Sequence, residues 1–336
     1  IKSDNPDWYW YRKNIEGETV YDIAEENGLK TCSILWPVTA RSNITYNMPE
    51  ICCTKFYDNQ IVKSLYAGTV SYQIIMNKRY GHLRRGIEEP YLDNFSMEVA
   101  KDTIKEKKPN LMLLHLVDVD SQKHLYGCQS KEVKEALERH DKRLGEIIES
   151  LKEAGIFEES TVIALGDHSQ LDVKYIIRLN AVFLKEGLIR LNRLGKIKDY
   201  DAIAKSCDGS SYIYLKDRNN LNIKSQVYKI LNELMKDTQN GIEKIIMGDD
   251  IDFLGADSKS SFIVEAKKYY YFIDEYKGRF LEEIKEDDIG NKKNRVRSAH
   301  GYLPIKEDYK TFFIANGNGI KSGVVLESGK LINHGP

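Results

Sequence analysis

No apolar run in this 336-residue chain reaches the roughly 18 residues that a membrane-spanning helix needs, so a span of that kind is excluded. Cysteine is scarce. The five residues Cys32, Cys52, Cys53, Cys128 and Cys207 are odd in number and form no CxxC pair. That usage argues against a disulfide framework and favours a reducing compartment such as the cytoplasm. An excess of charge is lacking too: 50 Lys and Arg against 51 Asp and Glu leave a net −1. The signs alternate along the chain, which argues against field-driven binding to a nucleic-acid duplex or a membrane surface. There is no internal repeat and no low-complexity segment. A starting methionine and a signal peptide are also absent. The opening "IKSDNPDWYWYRKN" and the closing "LINHGP" read as the interior of a longer protein, with the true start expected upstream.

What is present is enough chain to bury a sizeable core, long for one plain domain, so a core plus a large insertion is expected. The first half alternates strand and helix patterns. "ETVYDIAEENG" predicts a helix with Thr19 as N-cap and Gly28 as its stop, followed by the short strand "KTCSILWP", ended by Pro37. Residues 94–107 read as helix, and "NLMLLHLV" as a strand buried on both faces. Residues 130–154 carry Val133, Leu137, Leu144, Ile147, Ile148 and Leu151 at helical spacing, stopped by Gly155. "STVIALG" predicts the next buried strand and "TFFIANG" another. Strand, crossover helix, strand implies an α/β fold with a mostly parallel sheet sandwiched by helices. From Tyr175 to Arg297 the rhythm changes to β-branched and aromatic strands ("SSYIYLK", "EKIIMG", "SSFIVEAKKYYYFID") around a helix near 224–237, a mixed α+β insertion.

In open parallel sheets, functional groups collect beyond the carboxyl ends of the strands. The strand at 111–117 delivers Asp118, Asp120 and His124 there; the strand at 161–166 delivers Asp167 and His168; "SAHGYLP" puts His300 just before the strand at 311–315. Carboxylate and imidazole without nearby thiolate make an oxygen/nitrogen site for a divalent ion. Asp120 and His124 share one face if a helical turn starts at the strand end. Asp167 and His168 can both point at an ion only from a tight turn. Each motif alone is weak; their joint placement at strand ends carries the reading. Elsewhere, His115 reads as a satisfied core residue and Tyr269, Tyr270 and Tyr271 as strand packing. "NKKNR" at 291–295 reads as a solvated loop, and Asp118 as a carboxylate orienting His124. His140 sits in the long helix, and His82 and His334 have no partner in sequence.

Three segments, "LVDVDSQKHLYG", "TVIALGDHSQ" and "SAHGYLP…FFIANGNGI", resemble the metal-binding segments of the type I phosphodiesterase/nucleotide pyrophosphatase family of the alkaline phosphatase superfamily. "NPDWYWYRKNIEGETVYDIAEENGLKTCSILWP" and "ERHDKRLGEIIESLKEAGIFEESTVIALGDH" extend the resemblance over nearly the whole chain, with 190–290 matching loosely. The resemblance implies an alkaline phosphatase-like catalytic domain over 1–336, incomplete at both ends, with 175–297 as insertion and the first strand and last helix missing. It implies one ion, zinc or else manganese, on Asp120, His124 and His300, and a second on Asp167 and His168. It also implies a Thr or Ser nucleophile upstream of Ile1, with Thr39 and Ser42 structural or substrate-facing. The implied substrate is a small phosphate ester, nucleotides included. Related chemistries of the superfamily (phosphomonoester or phosphonate hydrolysis, phosphomutase) and a non-catalytic metal- and ligand-binding relative are the alternatives. One departure stands out: the family's Ser-Asp-His-Gly is Gly166-Asp167-His168-Ser169 here, which adds a side chain to the pocket wall.

Overall fold

The computed structural model describes residues 9–54, 58–304 and 306–326. The chain divides into two compact units. One comprises Ile1–Val119, Glu135–Ile163 and Ile314–Pro336; the other comprises Asp120–Lys134 and Ala164–Phe313.

In the first unit, Thr19 caps α1 (Val20–Glu26) by accepting from the Asp22 N–H, while the Asp22 carboxylate takes the Thr19 N–H. Gly28, at φ +72°, turns the chain out of the helix into β1 (Thr31–Ile34). β1 runs parallel to β2 (Tyr46–Met48) on one side and to β3 (Leu111–Leu114) on the other. Between β2 and β3 come α2 (Gln60–Ala67), α3 (Val70–Tyr80) and α4 (Tyr91–Lys107). Tyr72 and Met76 of α3 and Phe95, Val99 and Ala100 of α4 pack on Cys32 and Ile34, which removes β1 from water completely. After β3 the chain enters α5 (Asp118–Tyr126), α6 (Lys131–Glu153) and β4 (Thr161–Leu165).

The corner between β3 and α5 is fixed by buried charge. Asp93, fully buried on α4, accepts the N–H groups of Val117 and Asp118 at 3.0 and 3.1 Å. Asp118, also fully buried, accepts from Arg139 at 2.7 and 2.9 Å and from Arg143 at 3.0 Å, and Arg143 bridges back to Asp93 at 3.0 Å. Cations taken from α6 therefore compensate carboxylates that could not otherwise leave water.

The second unit holds β5 (Leu171–Ile177), α7 (Leu179–Lys185), β6 (Ile189–Leu191), β7 (Ile197–Tyr200), β8 (Ala202–Cys207), β9 (Ser210–Leu215) and α8 (Leu221–Lys236). β10 (Ile242–Met247), α9 (Asp249–Phe253), β11 (Phe262–Ala266), β12 (Tyr269–Phe272), β13 (Leu281–Glu283) and β14 (Ser298–Ala299) follow. β8 to β11 form an antiparallel sheet in the order β10-β11-β9-β8. β5 is flanked by β12, parallel, and by β13 and β14, both antiparallel. Ile176, Ile177, Phe183, Ile213, Val227, Phe262 and Phe272 lie in its core.

The architecture is α/β with mixed sheets and flanking helices, as the alternation predicts. The expectation that the central strands are wholly buried fails. β3 is only half-buried, and β4 and its partner β15 (Phe313–Gly317) expose Ile163, Phe313 and Ile314 at 51–58%. Among the described residues β3 pairs with β1 alone and β4 with β15 alone, so these apolar faces lack the neighbour that covers a central strand. Also among the described residues, no helix is long and apolar enough to cross a membrane.

Candidate metal centre

The centre is assembled from residues of the second unit. α5 puts Asp120 and His124 on one face, one turn apart, with His124 Nε2 3.6 Å from Asp120 Oδ2. The pairing of β14 with β5 (Ser298 opposite Asp172, Ala299 opposite Leu171) brings His300 to the same place from the far end of the chain. Asp120, His124 and His300 each offer a ligand atom, and these atoms lie within 4.8 Å of one another. The His124 and His300 rings meet edge-on at 5.3 Å.

The hydrogen bonds settle which atoms are free to coordinate. His124 Nδ1 lies 2.8 Å from the carbonyl oxygen of Ser298. A carbonyl can only accept, so Nδ1 carries a proton, and Nε2 is the ring nitrogen on the Asp120 side. Gln170 Nε2 donates to Asp120 Oδ1, leaving Oδ2 on the His124 side, and the Ser298 hydroxyl in turn donates to Gln170 Oε1. Both Gln170 and Ser298 are buried. Burial, reinforced by the neighbouring His168, pushes His300 down to about 4, so its imidazole is neutral at physiological pH. Two imidazoles and an oriented carboxylate are the donor set a zinc-type ion takes, with His124 held through Nδ1 and Asp120 through Oδ1.

Asp167 and His168 lie in the turn after β4. His168 donates its N–H to Asp167 Oδ1 at 2.9 Å, its Nε2 is 3.5 Å from Asp167 Oδ2, and its ring lies 4.3 Å from that of His300. The three imidazoles are thus contiguous. Asp167 stays largely exposed, and among the described residues it and His168 find no third His, Cys, Asp or Glu at ligand spacing.

Several readings of single residues are settled. His115, just past the end of β3 and half-buried, has Nδ1 3.2 Å from the Leu35 carbonyl: satisfied, as expected, but not a core residue. Thr39 is fully buried and donates to the Trp36 carbonyl at 2.8 Å, a structural role. Tyr270 stacks on Tyr175 at 4.9 Å and Tyr271 is buried, both strand packing. Two expectations are corrected. Asp118 gives both oxygens to Arg139 and Arg143, and a main-chain carbonyl rather than a carboxylate orients His124 through Nδ1. "NKKNR" is not wholly solvated, because Arg295 is buried against Glu275 at 3.0 Å. His334 lies outside the described residues.

Sequence reasoning missed Gln170, Ser298 and Asp208. Asp208 and Gly209 form the turn joining β8 to β9, and the Gly209 N–H donates to the His300 carbonyl at 2.8 Å. Burial raises the Asp208 carboxyl to about 6, with His124 and His168 opposing the rise and Asp120 and Asp274 adding to it. The D-G pair between two strands was the available signal for a hairpin, but nothing local says where its tip points.

The family model described as type I phosphodiesterase / nucleotide pyrophosphatase matches residues 1–303. Human ectonucleotide pyrophosphatase/phosphodiesterase family member 1 is 27% identical over 180 residues, 52% of this chain but 15% of that protein. Venom phosphodiesterase CdcPDE of Crotalus durissus collilineatus is 24% identical over 169 residues, 50% of this chain and 16% of that one. Human ectonucleotide pyrophosphatase/phosphodiesterase 5 superposes with a TM-score of 0.53 at 16% identity, over 90% of this chain and 63% of that structure. An inactive murine form of it, in complex with AMP, superposes equally well (0.53, 15% identity, 89% and 63%). The matches thus span less than two thirds of each of these proteins, and the structural likeness shows the alkaline phosphatase-like fold. With the family model covering nine-tenths of its length, the chain belongs to the type I phosphodiesterase/nucleotide pyrophosphatase family.

Proposed function

We propose that this chain is the metal-binding part of a phosphoric ester hydrolase of phosphodiesterase/nucleotide pyrophosphatase type. The observation that carries the reading is the convergence of Asp120, His124 and His300, with Asp120 held by Gln170 and His124 by the Ser298 carbonyl. The three would hold one divalent ion, zinc in preference to manganese, since the donors are nitrogen and carboxylate oxygen. Asp167 and His168, against the His300 ring, would contribute to a second. Bound divalent ions supply Lewis-acid polarisation and neutralise charge on the phosphoryl oxygens. What the chain's own residues do is hold geometry: Ser298 holds His124, and Gln170 holds Asp120. In this reading 1–336 form one alkaline phosphatase-like catalytic domain with 175–297 inserted, and the nucleophile is a Thr or Ser of the whole protein outside these residues. The family favours a diester or pyrophosphate as substrate, and the AMP-bound relative favours one of nucleotide type.

The test uses the full-length protein. Zinc content is measured after dialysis, beside turnover of a chromogenic diester and monoester. Stoichiometric zinc with diester turnover supports the reading. Stoichiometric zinc with no turnover makes the protein a binding relative, and full turnover without metal overturns the reading altogether.

A further inference from the structure

The turn at Asp208–Gly209 is built into the metal centre. Asp208 adopts φ +59°, a left-handed backbone that Asp, Asn and Gly tolerate. Its N–H donates to Ser206 Oγ at 2.9 Å, and its carbonyl accepts from the Phe272 N–H at 2.7 Å. The Gly209 N–H holds the His300 carbonyl at 2.8 Å. Contact with the His300 loop is backbone to backbone: a Cβ on Gly301 would sit 1.7 Å from the Cys207 carbonyl, and one on Gly209 would sit 2.3 Å from the Tyr302 ring. The position of residue 208 is therefore tied to that of residue 300.

The Asp208 side chain is partly buried, and its electrostatic neighbours include His124, Asp120 and His168. Nearby acids are engaged: Asp120 by Gln170, and Asp274 by Lys205 and by the Ser206 N–H at 2.6 Å. No hydrogen bond or ion pair among the described residues engages the Asp208 carboxylate. It also lies outside the three-residue ligand set.

We propose that Asp208 is a specificity residue, a fixed negative charge beside the metal centre that favours singly charged phosphodiesters over doubly charged monoesters. The proposal rests on the phosphoesterase reading above. Coulomb energy scales with ligand charge, so one carboxylate opposes a dianion twice as strongly as a monoanion at the same position. An ionised carboxylate has no proton to donate, so it offers a phosphate oxygen no compensating hydrogen bond. Discrimination of this kind needs no contact with the ester's organic groups.

The experiment compares zinc-loaded full-length protein with its Asp208→Asn and Asp208→Gly variants, both compatible with the left-handed turn. Binding is measured calorimetrically at about pH 8, where carboxylates are ionised. The probes are inorganic phosphate, a dianion there, and a stable phosphonate monoester, a monoanion. Both variants are expected to bind phosphate about tenfold tighter and the phosphonate monoester about threefold tighter, a gap that narrows as salt rises. Zinc content is determined on the same samples. Unchanged phosphate affinity in zinc-replete variants overturns the role of Asp208 alone, as does loss of zinc from the variants, which would make Asp208 a ligand. Absence of zinc or of phosphate binding in the unaltered protein overturns the phosphoesterase reading instead.

Discussion

His124 Nδ1 lies 2.8 Å from the carbonyl oxygen of Ser298, a residue 174 positions later in the chain. The hydroxyl of that serine also reaches Gln170, which holds Asp120. One residue thus orients a histidine through its backbone and a carboxylate through its side chain. Gln170→Leu removes the second arm without changing size much. It is expected to weaken zinc binding by about 10- to 100-fold, measured by competition with a chromophoric chelator. Ser298→Ala keeps the carbonyl and is expected to cost less.

Removing a ligand is a harsher change. His300→Ala and Asp120→Asn are each expected to leave dialysed protein with less than stoichiometric zinc, read by atomic absorption, while thermal unfolding of the metal-free protein shifts little. Retention of tightly bound zinc by both variants would show that the ion sits elsewhere.

Chelation tests the same site without mutation. Full-length protein treated with excess chelator is expected to lose diester hydrolysis and to regain it on adding zinc, because the imidazole and carboxylate ligands remain in place to receive the ion.

The buried Asp93–Arg143–Asp118 array predicts a large loss from a single change. Arg143→Leu removes the cation that bridges two buried carboxylates, Asp93 and Asp118. The expected cost is about 3–5 kcal/mol, measured by urea unfolding. Arg139→Leu, on a cation that is one-third exposed, is expected to cost less.

Glu89 gives a pH dependence. Burial, and then the charge of Asp93, raises its carboxyl from 4.5 to about 8; one oxygen accepts the Asp93 N–H and the other is buried without a partner. The folded state thus keeps a proton that the unfolded chain releases near 4.5. This contribution to stability is complete below about pH 4.5 and is lost as pH rises through 8. The urea midpoint is expected to fall over that window, and Glu89→Gln to flatten the fall.

Much of this was legible in order but not in space. The Thr19 cap, the Gly28 stop and the long helix ending at Gly155 follow from local chemistry and stand as read. Asp120, His124 and His300 were legible because strand-end acids and histidines are conspicuous. Gln170 and Ser298 were not, because an amide and a hydroxyl become informative only once β5 and β14 pair, and no local pattern sets that register. The burial of β4 was misjudged for the related reason that an apolar run states a need for cover and not what supplies it.

The backbone fit of 207–209 against 300–302 also separates positions that tolerate change from positions that do not. Leu221 at the start of α8 and Phe253 at the end of α9 are exposed at 73% and 90%, and substitutions there displace nothing. At the turn, a single methyl on Gly209 or Gly301 collides. Substitution that is to leave the ligand geometry unchanged is therefore confined to positions away from this turn.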